Sequence, residues 1–404
     1  MTPGSPSPLA GEGLDPARMR RERLDTLQRG MAGAGIDALV LLGLSNVQYA
    51  VGTHHVAGDQ SHAFSPRIAA VVPASGAPHL CTPWPDGAPP ELPVEHVHPA
   101  LDLDTDGGAA DLFRLADDVS GRDATVAFDE HTTATWFRTN GTARDAMPIL
   151  GAAKLQKTGD ELECIRRAQA INEAAMDDVR PLARPGTAQT ELTAAFQRRV
   201  NELAAGDGAR VTNAIDPIWQ VVAPMIEEGP WTTTGHVAYP LSTTERVLAD
   251  GDVIWVDTGI TYLGYASDFG RTWVVGDPPR PTPRQVDQFH RWLDVVDRVR
   301  DVIRPGATAA DLTRAARHGE RTTPWLPHFY LAHGVGTDSA EMPLVGTDLG
   351  EAFDEGFVLA PGMVLVLEPV IWDDGHAGYR SEEIVAVTDD GWVPLSDHTY
   401  APFG

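Results

Sequence analysis

Four carboxylates and one imidazole stand where this sequence can do chemistry. Asp257 and Glu368 close the apolar runs VIWVD and MVLVLE. An ionised side chain at the end of such a run costs several kcal/mol unless a cation compensates it. Asp268 follows Asp257 eleven residues on, in YASDFGRT, and Glu382 lies in GYRSEEIVA. Four carboxylates balance the charge of two divalent cations. His333, in AHGVG, adds an imidazole beside glycines that let backbone approach closely. Two ions sharing carboxylates would lower the pKa of a bridging water and hold a nucleophilic hydroxide near neutrality. The plain alternative is four salt-bridged acids, for which Arg271 and Arg380 are near in sequence.

The elements that carry these acids repeat. RPGTAQTELTAA (184–195) returns as RPGATAADLTRA (304–315), each opening a helix with an acidic residue in it. LADGDVIWVDTG (248–259) returns as LAPGMVLVLEPV (359–370), a turn feeding a strand, which puts Asp257 and Glu368 at equivalent positions. GYASDFGRT (264–272) matches GYRSEEIVA (378–386), so Asp268 stands opposite Glu382. Two half-domains under a pseudo-twofold thus each supply two acids on adjacent strands.

Upstream, a loose Pro/Gly/Ser-rich arm is expected over 1–16, and a helix capped by Asp15 with Pro16 in its first turn, ending at Gly33 or Gly35. IDALVLLG (36–43), RIAAVVPASG (67–76) and ATVAFDE (124–130) read as strands between helices, giving an α/β domain over 17–153. Thr158 with Glu161 three residues later forms a capping box that opens a long amphipathic helix near the start of a second domain, 154–404.

Composition narrows the partners. With 31 Lys+Arg against 57 Asp+Glu, the formal charge is −26, which repels nucleic acid and anionic membrane and favours metal cations. Cys81 and Cys164 lack a C-x-x-C partner, so neither a disulfide framework nor a thiolate metal cage is expected, only two small buried side chains. The N-terminus lacks the pattern of a signal peptide, and no stretch approaches the roughly 20 apolar residues of a membrane helix, so a cytoplasmic location is expected.

Asp257, Asp268, His333, Glu368 and Glu382, in VDTG, YASDFGRT, HGVG, PGMVLVLEP and YRSEEIVAVTDDG, resemble the five-ligand set of the pita-bread metallopeptidase superfamily, which includes Xaa-Pro dipeptidase, aminopeptidase P and creatinase. The resemblance covers about 155–404 closely, and 17–150 more weakly resembles the creatinase-type N-terminal domain. It implies that Asp257 binds one metal, that His333 and Glu368 bind the other, and that Asp268 and Glu382 bridge them. It also implies a homodimer in which the N-terminal domain overlies a neighbour's cleft. Mn²⁺ suits hard oxygen ligands with one imidazole, with Fe²⁺, Co²⁺ or Zn²⁺ as other occupants.

The sequence departs from the Xaa-Pro peptidases at three histidines outside the ligand set. Pro240, Phe329 and Ala340 occupy those positions, while Glu341 and Pro343 keep the rest of the family's His-Glu-x-Pro string. His236 and His328 are candidate replacements, and Arg271 and Arg380 candidate anion anchors. The reading is a dinuclear metal-dependent hydrolase that cuts an amide or C–N bond of a small carboxylate-bearing substrate or short peptide. Alternatives are a repurposed small-molecule hydrolase or lyase on this fold, with Glu341 or Asp338 as base, and a non-catalytic binding module. His54, His55, His96 and His98 are expected as solvated loop side chains, and Trp219, Trp231, Trp325 and Trp372 as core or interface anchors.

Overall fold

The computed structural model describes residues 13–53, 67–139, 143–206, 211–216, 247–317, 331–347, 349–371 and 378–400. His54, His55 and the four tryptophans just named lie outside them. The chain divides into two compact units, one of them Asp15–Lys154 and the other containing everything from Leu155 on. Among the described residues no helix is long and apolar enough to cross a membrane.

In the first unit, α1 (Pro16–Ala34) starts where the Asp15 side chain accepts a hydrogen bond from the Arg18 N–H and Pro16 enters the first turn. It stops at Gly35, whose φ of 65° closes the helix in the left-handed region. The strands are β1 (Ala38–Leu41), β2 (Ala69–Pro73), β3 (His79–Thr82), β4 (Val97–Pro99), β5 (Val126–Phe128) and β6 (Arg144–Asp145), and the helices between them are α2 (Leu44–Val51), α3 (Asp106–Ser120), α4 (Thr133–Thr139) and α5 (Met147–Leu155). They form one mixed sheet in the order β4-β3-β2-β1-β5-β6. β1 is buried throughout, and its pleat explains why it is continuously apolar. Leu39 and Leu41 pack with Leu27, Met31, Val47 and Ile149, while Ala38 and Val40 pack with Leu112 and Ala116 of α3. Helices therefore cover both faces of this sheet.

His96 and His98 are not solvated loop residues. Val97–Pro99 pairs in parallel with β3, and the His79 ring stacks on His96 at 3.8 Å between centroids, with its Nδ1 3.0 Å from His98 Nε2. The strand pairing brings the three together across 19 residues of sequence, which no local pattern reveals.

In the second unit, α6 (Gly159–Val179) opens on the complete Thr158/Glu161 capping box, and α7 (Gln189–Gly206) follows it. β7 (Val211–Asp216), β8 (Val253–Tyr262), β9 (Tyr265–Ala266) and β10 (Phe269–Val274) form one sheet. After α8 (Pro283–Arg300) and α9 (Ala309–Arg317) come β11 (Ala332–Gly334), β12 (Glu341–Val345), α10 (Glu351–Glu355), β13 (Val364–Leu367), β14 (Val370–Ile371), β15 (Tyr379–Arg380), β16 (Glu383–Val387) and β17 (Trp392–Pro394). Five of these strands make a second sheet, in the order β12-β11-β13-β16-β17.

The sequence repeat is structural. Gly186 and Gly306, at φ 91° and 86°, donate to the carbonyls of Leu248 and Leu359, and α7 and α9 follow three residues later. Gly251 and Gly362, both left-handed, precede β8 and β13. The halves are unequal in one respect. β8 runs on past Asp257 to Tyr262, whereas β13 stops at Leu367, just ahead of Glu368 and of Pro369, which has no N–H to give to a ladder.

Candidate metal centre

Strand register sets the acids in place. Asp257 lies in β8 opposite Gly270 of β10, Glu368 directly follows β13, and Asp268 and Glu382 each immediately precede a strand, β10 and β16. The two sheets meet at that point, where the Glu382 N–H donates to the Gly270 carbonyl at 3.0 Å. Arg271 fastens the junction, its Nη1 donating to the carbonyls of Gly270 and Glu382, both at 2.7 Å. Its guanidinium is buried against Phe269 and Tyr400, and its Nε donates to the Thr399 carbonyl. Burial of Arg271, with its Nη1 and Nε given to backbone carbonyls, speaks against the expected anion anchor at this residue.

Asp257, Asp268 and Glu382 each bring a carboxylate oxygen within 4.8 Å of the other two. His333 Nε2 lies 3.3 Å from Asp268 Oδ2 and 3.3 Å from Glu368 Oε1, so all five predicted residues converge. The set is positioned from behind by α6. Gln169 Oε1 accepts from the Asp268 N–H, and Asn172 Nδ2 donates to the Thr258 carbonyl and to Ser267 Oγ. These two residues, three apart on one helix face, hold the backbone beside both aspartates.

The arrangement fits a bound cation. His333 is buried, which pushes its pKa below the usual histidine range, and its Nδ1 lies 2.9 Å from the Gly334 carbonyl. A neutral ring donating there presents a lone pair at Nε2 towards two carboxylate oxygens, an array of acceptors that a metal ion satisfies. Glu382 Oε2 is buried and has no hydrogen-bond partner among the described residues. Gly270 leaves the room it needs, since a Cβ there would stand 2.4 Å from Glu382 Cδ.

Of the other candidates, Arg380 reaches the cluster, with Nη2 in contact with Glu368, 2.5 Å from Glu382 Oε1 and 3.7 Å from Asp257 Oδ2. Glu341 begins β12 and pairs with Lys157, Nζ to Oε1 2.5 Å, in a buried ion pair. Its carboxylate lies flat on Gly336, where any Cβ would collide with it. The carbonyl of Gly336 in turn accepts from the N–H of Ala266, two residues before Asp268. His236 and His328 lie outside the described residues. Lys157 escaped the sequence reading because its partner is 184 residues away. Its place just ahead of the helix cap is the one local sign.

A model of metallopeptidase family M24 matches residues 163–389, and one of the Creatinase/Prolidase N-terminal domain matches residues 23–167. The chain is similar to the probable dipeptidase PepE of Mycobacterium tuberculosis, 27% identical over 408 aligned residues that cover 94% of this chain and 95% of that one. It is also similar to the Xaa-Pro dipeptidase of Pyrococcus furiosus, 30% identical over 245 residues, 60% of this chain and 63% of the other. Among solved structures, dipeptidase PepE from Mycobacterium ulcerans matches with a TM-score of 0.70 at 23% identity, covering 96% of this chain and 98% of its own. The prolidase from Pyrococcus horikoshii matches with a TM-score of 0.69 at 18% identity, covering 94% and 100%. At these identities the structural likeness speaks for the fold, a creatinase-type N-terminal domain followed by a pita-bread domain.

Proposed function

The chain belongs to metallopeptidase family M24, and from that premise we propose that it is a dinuclear hydrolase cutting an amide or related C–N bond of a small, carboxylate-bearing substrate, dipeptides first among them. The observation that carries this reading is the convergence of His333 with Asp257, Asp268, Glu368 and Glu382 at the junction of two sheets. Asp257 would hold one ion, His333 and Glu368 the other, and Asp268 and Glu382 would be shared. When bound, the ions supply Lewis acidity, polarising a carbonyl and lowering the pKa of a water. Hard oxygen donors with one imidazole favour Mn²⁺, with Fe²⁺, Co²⁺ or Zn²⁺ as other occupants.

The chain's own groups orient this chemistry. The Gly334 carbonyl fixes the His333 ring, and Gly270 admits the Glu382 carboxylate. Glu341, held by Lys157 through one oxygen, keeps a second oxygen that has no hydrogen-bond partner among the described residues. That oxygen is the candidate acceptor for a substrate N–H. His236 and His328 are the candidate donors to the transition state. Cys81 and Cys164 are buried and joined to no disulfide among the described residues, which suits a reducing compartment, and a cytoplasmic location is part of this proposal. We take it to act as a homodimer, which the exposed Trp136 and Phe137 of α4 favour.

Ala340 favours a second reading, a repurposed small-molecule hydrolase or lyase on the same fold, because it brings no side-chain donor to a position where the Xaa-Pro peptidases carry histidine. One experiment addresses both. Protein stripped with a chelator and reconstituted with Mn²⁺, Co²⁺, Fe²⁺ or Zn²⁺ is assayed on Xaa-Pro dipeptides, other dipeptides and non-peptide amides and acids. Metal-restored hydrolysis of dipeptides is expected. Turnover of non-peptides alone selects the second reading, and a protein that binds none of the four ions overturns the first.

A further inference from the structure

One amide on α6 reaches the chain beside both of the acids read above as shared between the ions. Gln169 is buried, and its Oε1 accepts from the Asp268 N–H at 3.2 Å. On the other side its Nε2 donates to Ser396 Oγ at 3.4 Å, and the same oxygen accepts from the N–H of Ile384, two residues past Glu382, at 3.2 Å. Asp268 leads into β10 and Glu382 into β16, strands of different sheets from the two halves of the repeat. Gln169 therefore ties the halves together a second time, in addition to the bond from the Glu382 N–H to the Gly270 carbonyl.

The amide can stand only one way round. Its Nε2 also donates to Glu173 Oε1 at 3.1 Å. Glu173 lies four residues along α6, on the same face, and is buried, and both of its oxygens accept from the Asp397 N–H at 3.2 Å. Ser396 and Asp397 are adjacent, so one stretch after β17 supplies both contacts. A carboxylate has only acceptors to offer and a backbone N–H only a donor. Reversing the amide would set Oε1 against the Glu173 carboxylate and Nε2 against the Asp268 N–H, two repulsions in place of two hydrogen bonds.

Resting on the reading of Asp268 and Glu382 as ligands shared by two ions, we infer that Gln169 is a positioning residue for the ion pair. Its amide sets the gap between the two chain segments that carry the shared carboxylates, and Glu173 acts through it by holding its orientation. Packing alone would be served by any side chain of this shape. Spacing the two segments needs an acceptor aimed at Asp268 and a donor aimed at Ser396. A single ion can be held by the carboxylates of one half, whereas an ion pair needs both shared carboxylates at a set separation, so disturbing the amide should act on the second ion.

The test is Mn²⁺ binding by the full chain, followed by electron paramagnetic resonance, which counts bound ions and separates a coupled pair from isolated ions. Wild type is compared with Gln169→Met, with Gln169→Glu and with the exchange variant Gln169→Glu, Glu173→Gln. Wild type should bind two coupled ions. Gln169→Met removes both hydrogen bonds and Gln169→Glu sets two carboxylates face to face, and in each the second ion should bind at least about 10-fold more weakly and the coupled signal should fade. The exchange variant should recover both, because the carboxylate now at position 169 accepts from the Asp268 N–H and the amide at position 173 donates to it. If Gln169→Met does not fold, the two variants of unchanged shape decide. Two coupled ions bound by the single variants as by wild type, or no recovery in the exchange variant, overturns the inference and leaves the metal reading standing. A loss spread evenly over both ions with the coupling kept makes Gln169 a support of the fold and also overturns it. Wild type that binds one ion removes the shared-ligand reading together with the inference, and wild type that binds none removes the metal reading as well.

Discussion

At Gly270 the missing side chain is the functional feature, because a Cβ would stand 2.4 Å from Glu382 Cδ. Gly270→Ala is expected to displace Glu382, lower metal occupancy at least about 10-fold and destabilise the fold by roughly 1–3 kcal/mol as an overpacked core position does. Metal analysis and melting of the variant check this, and an unchanged metal content would show that Glu382 has room to retreat. Asp268→Asn should likewise empty the site, since its carboxylate faces Asp257, Glu382 and His333, whereas Glu341→Gln, whose carboxylate pairs with Lys157, should keep its metal. Equal metal loss in both would mean that the division between ligands and supports is misdrawn. Lys157 is read by its burial. Lys157→Met leaves the Glu341 carboxylate without its cation and should cost about 3–5 kcal/mol, most of which the double variant with Glu341→Gln should recover. A denaturant titration of the four proteins measures that coupling, and simple additivity would deny that the pair acts as a unit.

At the scale of elements, α6 and the strand pair β3–β4 make opposite points. The opening of α6 was legible because a capping box is local, Thr158 bonding Glu161 three residues on. What α6 does with Gln169 and Asn172 was not, since the strands those residues hold are about a hundred residues downstream. The histidines on β3, β4 and the turn before β4 show the same limit, and they carry a pH prediction. Burial, then the neighbouring His96 and His98, pushes His79 down to about 4, and burial also lowers His98. An unfolded histidine titrates near 6.5, so the unfolded chain binds more protons than the native one between these values. The stability held by His79 is therefore complete above about pH 6.5 and drains away as the pH falls towards about 4. Unfolding midpoints measured from pH 7.5 to 4.5 should fall more steeply in wild type than in His79→Gln. Parallel curves would mean that the stack bears no such cost.

For the molecule as a whole, the question is which substrates an intact metal centre turns over. Metal ions provide for the nucleophile, but a tetrahedral intermediate and a departing nitrogen need positioned donors, each worth about 10²-fold or more in rate. Pro240, Phe329 and Ala340 bring no side-chain donor to the positions where the Xaa-Pro peptidases carry histidine. Xaa-Pro hydrolysis is therefore expected to be weak despite full metal loading. Robust Xaa-Pro turnover surviving a His236→Ala, His328→Ala double variant would falsify that expectation and point to donors elsewhere. Assembly belongs to the same scale. Light scattering or sedimentation should find a dimer, weakened by replacing the exposed Trp136 and Phe137 with serine, and a fully active monomer would count against it.

The sequence by itself determined the candidate ligand residues and their duplication. An acid closing an apolar strand, a glycine turn ahead of it and a second acid at a fixed interval are local patterns, and an internal repeat doubles the signal. It also carried the capped helices, the buried first strand and the two buried cysteines, each of which depends on neighbours within a few residues. Only the tertiary structure decided what surrounds those acids. That Arg271 is sealed against Tyr400, that Arg380 sits among three carboxylates, that Lys157 meets Glu341 and that three histidines stack are all products of strand register and sheet junction. Residues far apart in sequence become partners there because each must satisfy its charge or hydrogen bonds inside the fold, and no short-range pattern encodes which distant group will do so.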